Sequence, residues 1–228
     1  MPKDFWFVWM LDLLYSRGTS KIEDEPVCIA TILGMDTKAL LEVPLEDRMK
    51  SILMNYEDII PSGIIFGKGP RVKKLGSRWV PCSFMCPDFN WSGKTEQITD
   101  RGLMASYPSL IFRPIDANIQ GNANILGEHF GLVDCSTGVR YLVDIFNVPQ
   151  GMGISLNITW HIILEVPLGK KECTKGIMVF VAQEEDDCYY AEYMAPVHVR
   201  NVGERKPLPD NECIFADPLV PDHMWCIG

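Results

Sequence analysis

Cysteine and histidine are the residue types in this sequence that come closest to a metal-binding arrangement. Cys82 and Cys86 are separated by three residues, and Cys213, His223 and Cys226 follow near the end of the chain. Thiolate sulfur and imidazole nitrogen are ligands that zinc accepts. The spacing differs from known zinc-ribbon patterns, and the two halves lie far apart in sequence. A zinc-stabilised module is therefore one hypothesis, and a set of unrelated reduced cysteines is its alternative.

A nucleophilic thiol is the second chemistry that these residue types allow. Cys82 or Cys86 with a histidine defines an enzyme hypothesis, because the members of such pairs meet in space and not in sequence. The sequence contains neither Gly-x-Ser-x-Gly nor His-Glu-x-x-His. His161 lies within an apolar segment, which favours a hydrogen-bonded core residue over a catalytic base. A non-catalytic protein is favoured, the enzyme question stays open, and no cofactor is predicted.

A basic cluster offers a candidate binding site between residues 68 and 79. It consists of Lys68, Arg71, Lys73, Lys74 and Arg78, followed by Trp79. One interpretation is a site for an anion or an acidic partner. With Trp79 as a stacking surface, the cluster could also form a platform for nucleic acid. The net charge of −9 disfavours nucleic acid. The other interpretation is a solvated loop that pairs with acidic residues of the same chain.

Composition and charge define the class of protein. The 228 residues are 47% hydrophobic and 22% charged, which is ordinary for a globular protein and excludes a largely disordered or collagen-like chain. Residues 1–60 contain six Lys/Arg against eleven Asp/Glu, residues 61–114 eight against three, and residues 115–228 seven against sixteen. A basic middle between acidic flanks predicts either an internal electrostatic match, which we favour, or a local anion site.

The first 60 residues have the periodicity of helices. Two apolar stripes recur at helical spacing, namely Trp6, Trp9, Met10, Leu13 and Leu14, and then Leu45, Met49, Ile52, Leu53 and Tyr56. The first helix is apolar nearly all round, which predicts that it is buried. Asp24 is the expected N-cap of a helix from Glu25 to about Leu33 that Gly34 ends. Asp36 is the expected cap of a short helix ending before Pro44.

From Pro61 onward the pattern changes to short apolar segments bounded by Gly and Pro, which predict strands. The predicted strands are 63–66, 78–80, 102–107, 109–114, 130–134, 139–146, 157–166, 177–182 and 188–199. Ser136–Gly138 and the acidic run Glu184–Asp187 are the predicted tips of two hairpins. The expected fold is α+β, with a helical section (1–60), an antiparallel β-rich section (61–202) and an extended Pro-rich, acidic tail (203–228) whose end docks on the body.

Targeting signals are not evident. The apolar run Phe5–Leu11 is too short for a membrane span of about 20 residues, and neither a basic segment nor a cleavage pattern accompanies it. We therefore expect a cytoplasmic protein without a membrane partner, whose cysteines are reduced.

A resemblance to a known family starts at Arg17. The stretch Arg17–Asp36, RGTSKIEDEPVCIATILGMD, is similar to a segment of fungal heterokaryon-incompatibility (HET) domain proteins that lies C-terminal to the HET domain. The shared pattern is Arg-x-Thr-Ser, an acidic Glu-Asp-Glu and an apolar helix similar to CLATLLGLD. The helix Glu46–Lys50, and the pieces from Pro61 to Phe66 and from Gly69 to Phe84, are also similar, in the same order. The similarity covers roughly residues 10–110.

The resemblance implies a non-catalytic regulatory or interaction domain of the incompatibility response, which is the reaction to non-self. The blocks of the HET domain itself, similar to YVWG and WIDALCINQ, are absent from this sequence. A HET domain or another protein is therefore an expected partner, contacted through the apolar N-terminal helix. The motif residues of the matching stretch are expected to be structural, as caps and helix-end charges; they are Arg17, Thr19, Glu23, Asp24 and Glu25.

Overall fold

The computed structural model describes residues 6–15, 21–56, 60–85, 97–112, 129–147, 159–169, 172–202 and 213–228. The chain forms two compact units, residues 1–105 with 227–228, and residues 106–226. Helices predominate at the start and a mostly antiparallel sheet follows, so the predicted α+β class is confirmed. The first unit extends to Ala105, past the predicted section boundary at residue 60.

In the described residues, the first unit contains four α-helices and three short 3-10 helices. The α-helices are α1 (Trp6–Tyr15), α2 (Glu25–Ile32), α3 (Thr37–Glu42) and α4 (Arg48–Asn55), and the 3-10 helices are Ile22–Asp24, Leu45–Asp47 and Ser62–Phe66. Within the described residues, none of these helices has the length and apolar character needed to cross a bilayer.

Residues at the helix ends explain where α2 and α3 begin and end. Gly34 adopts a positive φ of 71°, and the backbone N–H groups of Gly34 and Met35 donate to the carbonyls of Thr31 and Ala30, closing α2 with a Schellman motif. The carboxylate of Asp36 accepts from two backbone N–H groups of α3, as predicted. Asp24 is the N-cap residue of α2, as predicted, but its side chain makes no capping hydrogen bond.

The buried face of α1 differs from the predicted stripe. Phe7, Met10 and Leu14 are buried, whereas Trp9 is 40% exposed and Leu13 is 41% exposed. The ring of Phe7 lies 5.2 Å from that of Tyr56 and packs edge-on against Phe84. Phe7, Met10 and Leu14 are spaced at helical intervals, as the predicted stripe is. Because α1 is apolar on nearly all sides, its sequence does not indicate which side faces the core.

Two predicted strands are wrong. Residues 63–66 belong to the 3-10 helix Ser62–Phe66, and residues 78–80 lie in a turn before an isolated bridge between Arg71 and Pro81. Residues 63–66 and the pair Trp79–Val80 are buried and mostly apolar, and such short runs do not distinguish strand from other buried backbone.

The described residues form a sheet of eight strands, most of them in the second unit. They are β1 (Gln97–Thr99), β2 (Gly102–Phe112), β3 (His129–Asp134), β4 (Arg140–Ile145), β5 (Trp160–Leu164), β6 (Cys173–Glu185), β7 (Cys188–Asn201) and β8 (Cys213–Ile227). The order is β1-β2-β5-β6-β7-β4-β3-β8, and β8 also pairs with β2. Seven strands therefore close into a ring, in which β3 and β8 are parallel.

The two predicted hairpins are confirmed. β3 and β4 flank the turn at Ser136–Gly138, and β6 and β7 flank Asp186 and Asp187, both at positive φ. The predicted tail ends in β8, whose residues Trp225, Cys226 and Ile227 are buried, so its end does pack on the protein.

Alternating side chains of the ring fill its core. In β4, Tyr141, Val143 and Ile145 are buried while their neighbours are partly exposed, as expected for a strand with one covered face. The same core cluster contains Trp160, Ile162 and Leu164 of β5. The remaining β5 residues, His161 and Ile163, are buried as well, so β5 is covered on both faces.

A close backbone approach in the first unit yields a stability prediction. Gly102 has a φ of 151°, and a Cβ atom built on it would overlap the carbonyl of Ile227. Gly102→Ala should lower the free energy of unfolding by about 1–3 kcal/mol, because the C-terminal residues must move and the backbone is strained. Urea denaturation measures this loss. Ser106→Ala, at an exposed position of the same strand, is the control, and equal stability of the two variants would contradict the geometry.

Candidate functional site

The basic cluster predicted as a binding site is built around a structural arginine. The guanidinium of Arg71 donates to four backbone carbonyls, at 2.8 Å to Trp79, 2.9 Å to Ile64, 3.0 Å to Ile65 and 2.6 Å to Gly67. Planar guanidinium suits such multiple bonding because its donors point in fixed directions. Arg71 thus ties the 3-10 helix Ser62–Phe66 to the turn that carries Trp79.

The other members of the cluster do not form an exposed aromatic and cationic platform. Trp79 is fully buried, which removes the stacking surface. The ammonium of Lys74 lies 3.0 Å from the carboxylate of Asp47, so the predicted internal match between basic and acidic segments is confirmed for this pair. Arg78 donates to the carbonyl of Lys73. Lys68 and Lys73 are partly and fully exposed, respectively.

The acidic motif of the resemblance has one buried member. Glu25 is 1% exposed, and one of its carboxylate oxygens accepts a 2.7 Å hydrogen bond from the backbone N–H of Phe84. Glu23 and Asp24 are exposed. Arg17 and Thr19 lie outside the described residues. Glu25 therefore has a structural role, which connects α2 to the segment that packs against Phe7 of α1.

The predicted zinc ligands are not brought together. In the described part of the chain, no group of three or more His, Cys, Asp or Glu side chains has the geometry to hold a metal ion. Cys213 and Cys226 are buried at opposite ends of β8, with His223 near the second. Cys82 belongs to the first unit, and Cys86 lies outside the described residues.

Cys82 does not have the environment of an activated nucleophile. Burial raises the pKa of its thiol above the ordinary value of 9.0 and prevails over the positive charges of Arg71 and Lys73, and Glu25 raises the pKa further. The thiolate is the reactive form of cysteine. A raised pKa keeps Cys82 in the neutral thiol form near neutral pH.

The environment of Cys82 predicts slow alkylation. With iodoacetamide near neutral pH, Cys82 should react more slowly than N-acetylcysteine, because less of it is thiolate. Peptide mapping by mass spectrometry over a time course gives the rate for this residue alone. Alkylation faster than that of N-acetylcysteine would revive the enzyme hypothesis at Cys82.

A groove between α2, α3 and α4 is the candidate binding site of the first unit. Its volume is about 530 Å³, and it is lined by Ala30, Leu33, Gly34, Met35, Asp36, Ala39, Leu40, Val43, Ser51, Asn55 and Tyr56. This volume lies within the range of about 300–1,000 Å³ that is typical of ligand pockets. Six of these eleven residues are apolar, namely Ala30, Leu33, Met35, Ala39, Leu40 and Val43. Asp36 is the only acidic or basic residue in the part of the lining that the structure describes.

The groove is shaped by the turns that end α2 and α3. The Schellman motif at Gly34 reverses the chain after α2, and Asp36 starts α3 two residues later. At the other end of α3, the guanidinium of Arg48 donates to the carbonyls of Val43 and Leu41 and fixes the connection to α4. Sequence analysis located the caps but not the groove, because the helix directions were not predictable.

The second unit holds a cluster of four aromatic side chains that sequence analysis missed. The indole of Trp225 stacks on Tyr189 at 5.0 Å and meets His161 edge-on at 5.4 Å. His223 lies 5.4 Å from Tyr189. The Trp225 indole N–H donates to the carbonyl of Tyr107. The short apolar end of the tail was the only sequence signal for this cluster.

His161 is buried as a neutral imidazole. It is 3% exposed, and its Nδ1 has no hydrogen-bond partner among the described residues. The sequence prediction of a core residue is confirmed, but the predicted hydrogen bonding is not seen at Nδ1. Ser109 of β2 pairs with Ile163, two residues after His161 on β5, so it lies on the same face of the sheet. Its hydroxyl also lacks a hydrogen-bond partner among the described residues. The two residues therefore form no Ser–His pair.

Burial of His161 makes the stability of the protein sensitive to acid. Burial, and then the charge of nearby His223, lower the pKa of His161 from its ordinary value of 6.5 to about 4. Below pH 6.5 the imidazole of His161 takes up a proton more readily in the unfolded chain than in the folded protein. The stability that the folded protein gains from the neutral imidazole is therefore complete above pH 6.5 and is lost as the pH falls toward 4. The expected loss is at most about 1.4 kcal/mol per pH unit.

Replacing His161 by phenylalanine isolates its contribution to the pH dependence of stability. His161→Phe keeps a ring beside Trp225 but cannot titrate, so its free energy of unfolding should fall less steeply between pH 6.5 and 4 than that of the wild type. Chemical denaturation at a series of pH values gives both slopes. His129→Phe, at an exposed position of β3, should retain the wild-type slope. Parallel slopes for wild type and His161→Phe would contradict the assignment.

Comparisons of the chain with protein-family models, with curated proteins and with solved structures found no match. The functional proposal therefore depends on the geometry of the described residues. The resemblance to HET-domain proteins stays a prediction.

Proposed function

We propose that this protein is a non-catalytic interaction domain whose first unit binds a partner in the groove between α2, α3 and α4. The observation that carries the proposal is the groove itself, a concave site of about 530 Å³ in which six of the eleven described lining residues are apolar. Concave, largely apolar sites with a few polar groups are the usual form of a binding site. The exposed side chain of Ala39 lies in this lining.

The titratable groups support binding rather than catalysis. Catalytic sites usually bring together groups whose pKa values are shifted toward their task. Cys82 and His161 are instead shifted toward their neutral forms, chiefly by burial. Arg71, the centre of the basic cluster, has its guanidinium bonded to backbone carbonyls.

The setting that we propose is the incompatibility response of filamentous fungi, in a region that follows the HET domain. Its support is the sequence pattern of Arg17–Asp36, in which Glu25, Gly34 and Asp36 have clear structural roles. A HET domain as partner rests on α1, where Trp9 and Leu13 expose apolar surface one helical turn apart. A cytoplasmic location belongs to the same proposal.

A groove-filling variant tests the proposal. Peptides that bind the wild-type protein can be selected from a phage-displayed random library, and their affinities for the variants then measured. Ala39→Phe should weaken binding by at least about tenfold, because the ring occupies the space that the ligand needs. Selection that yields no binding peptide, or peptides that bind Ala39→Phe as well as the wild type, would overturn the proposal.

Lys38→Phe is the matched control. Lys38 is exposed on the same helix but does not line the groove. Both variants replace an exposed side chain of α3 by phenylalanine, and the two positions are one residue apart. Selected peptides should bind Lys38→Phe with wild-type affinity, and equal urea midpoints for the two variants would show that the groove, and not the fold, accounts for the difference.

A further inference from the structure

We infer that the ligand of the groove is a basic amphipathic helix of a partner protein, which places apolar anchors on the aliphatic floor and a lysine or arginine against Asp36. This inference rests on the proposed function and specifies its partner. It follows from the elements that line the groove and from the charge of its lining.

The lining favours a helix over the other common forms of bound peptide. An extended peptide usually adds to the edge of a sheet, but the described lining comes from helices and their connections. Proline-rich peptides need an aromatic groove, and Tyr56 is the only aromatic residue in the described lining. Phosphopeptides need clustered arginines, and the same described residues include none. A groove between helices that offers six apolar residues suits apolar anchors at helical spacing.

The charge of the lining favours a cationic ligand. Among the described residues of the lining Asp36 is the single acidic or basic side chain, and its carboxylate accepts from the backbone N–H groups of Lys38 and Ala39. The carboxyl end of α2, with Leu33 and Gly34, also faces the groove and carries a partial negative charge.

The cations nearest to the groove do not neutralise the carboxylate of Asp36. Lys38 follows Asp36 closely in sequence, but it does not line the groove. The guanidinium of Arg48 donates to the carbonyls of Leu41 and Val43, which holds it at the end of α3. Asn55 donates its amide N–H to Ser51, so its amide oxygen is the atom left to accept from a ligand.

Three synthetic helices test the inference. Each has about 18 residues with leucine at i, i+3, i+4 and i+7, and the polar face is lysine in one peptide, glutamine in the second and glutamate in the third. Isothermal titration at low salt should give the lysine peptide an affinity at least about tenfold above that of the glutamate peptide. The glutamine peptide should lie between them.

Two variants separate groove recognition from general attraction to an acidic protein. Asp36→Asn removes the charge but keeps a good N-cap, so it should weaken binding of the lysine peptide and leave the glutamine peptide unchanged. Ala39→Phe should weaken binding of the lysine and glutamine peptides. A preference for lysine that survives in both variants would overturn the inference, because it would then come from the surface at large.

The inference and the proposed function fail in different ways. If the three peptides bind with equal affinity and Ala39→Phe weakens them all, the groove binds helices but the basic partner is wrong. If no amphipathic helix binds, while library peptides still depend on Ala39, the interaction domain stands and the helical ligand is overturned. If neither the helices nor the library peptides depend on Ala39, both proposals are wrong.

Discussion

The guanidinium of Arg71 is the interaction on which the architecture of the first unit depends. Residues 60–69 are buried almost throughout, yet they form one short 3-10 helix and irregular backbone, so their carbonyls need donors from elsewhere. Arg71 supplies donors to Ile64, Ile65 and Gly67, and one more to Trp79 across the turn. Loss of these donors would leave buried carbonyls unpaired, at a cost of about 1–3 kcal/mol each.

The same arrangement determines which charges remain for a partner. Arg71 bonds to backbone carbonyls and Lys74 pairs with Asp47, so two basic residues of the middle segment serve the first unit itself. Lys50 of α4 adds bonds to the carbonyls of Gly76 and Asp100. The described lining of the groove contains the carboxylate of Asp36 and no lysine or arginine. Internal bonding of these three cations is therefore compatible with an acidic binding site.

Local signals predicted local structure well. The cap at Asp36, the stop at Gly34 and both hairpins follow from backbone preferences that a few residues determine. The buried apolar runs at 63–66 and 78–80 were misread as strands, because their conformation depends on hydrogen bonds from Arg71, which sequence patterns do not show. Closure of the ring by β8 was also beyond prediction, since it needs pairings between distant segments.

Burial and hydrogen-bond partners also decide what the candidate site residues can do. Residue type suggested chemistry at Cys82 and Arg71 and a core position for His161, but whether a side chain can react or bind depends on its surroundings. Burial makes the thiol of Cys82 harder to ionise and the imidazole of His161 harder to protonate. The groove, in contrast, is lined by ordinary residues that no motif search would select, six of them apolar among the eleven described. Cys82 is exposed but its thiol is hard to ionise, His161 is buried as a neutral imidazole, and the groove places apolar residues beside the carboxylate of Asp36. These features favour the proposed recognition of a basic amphipathic partner over catalysis.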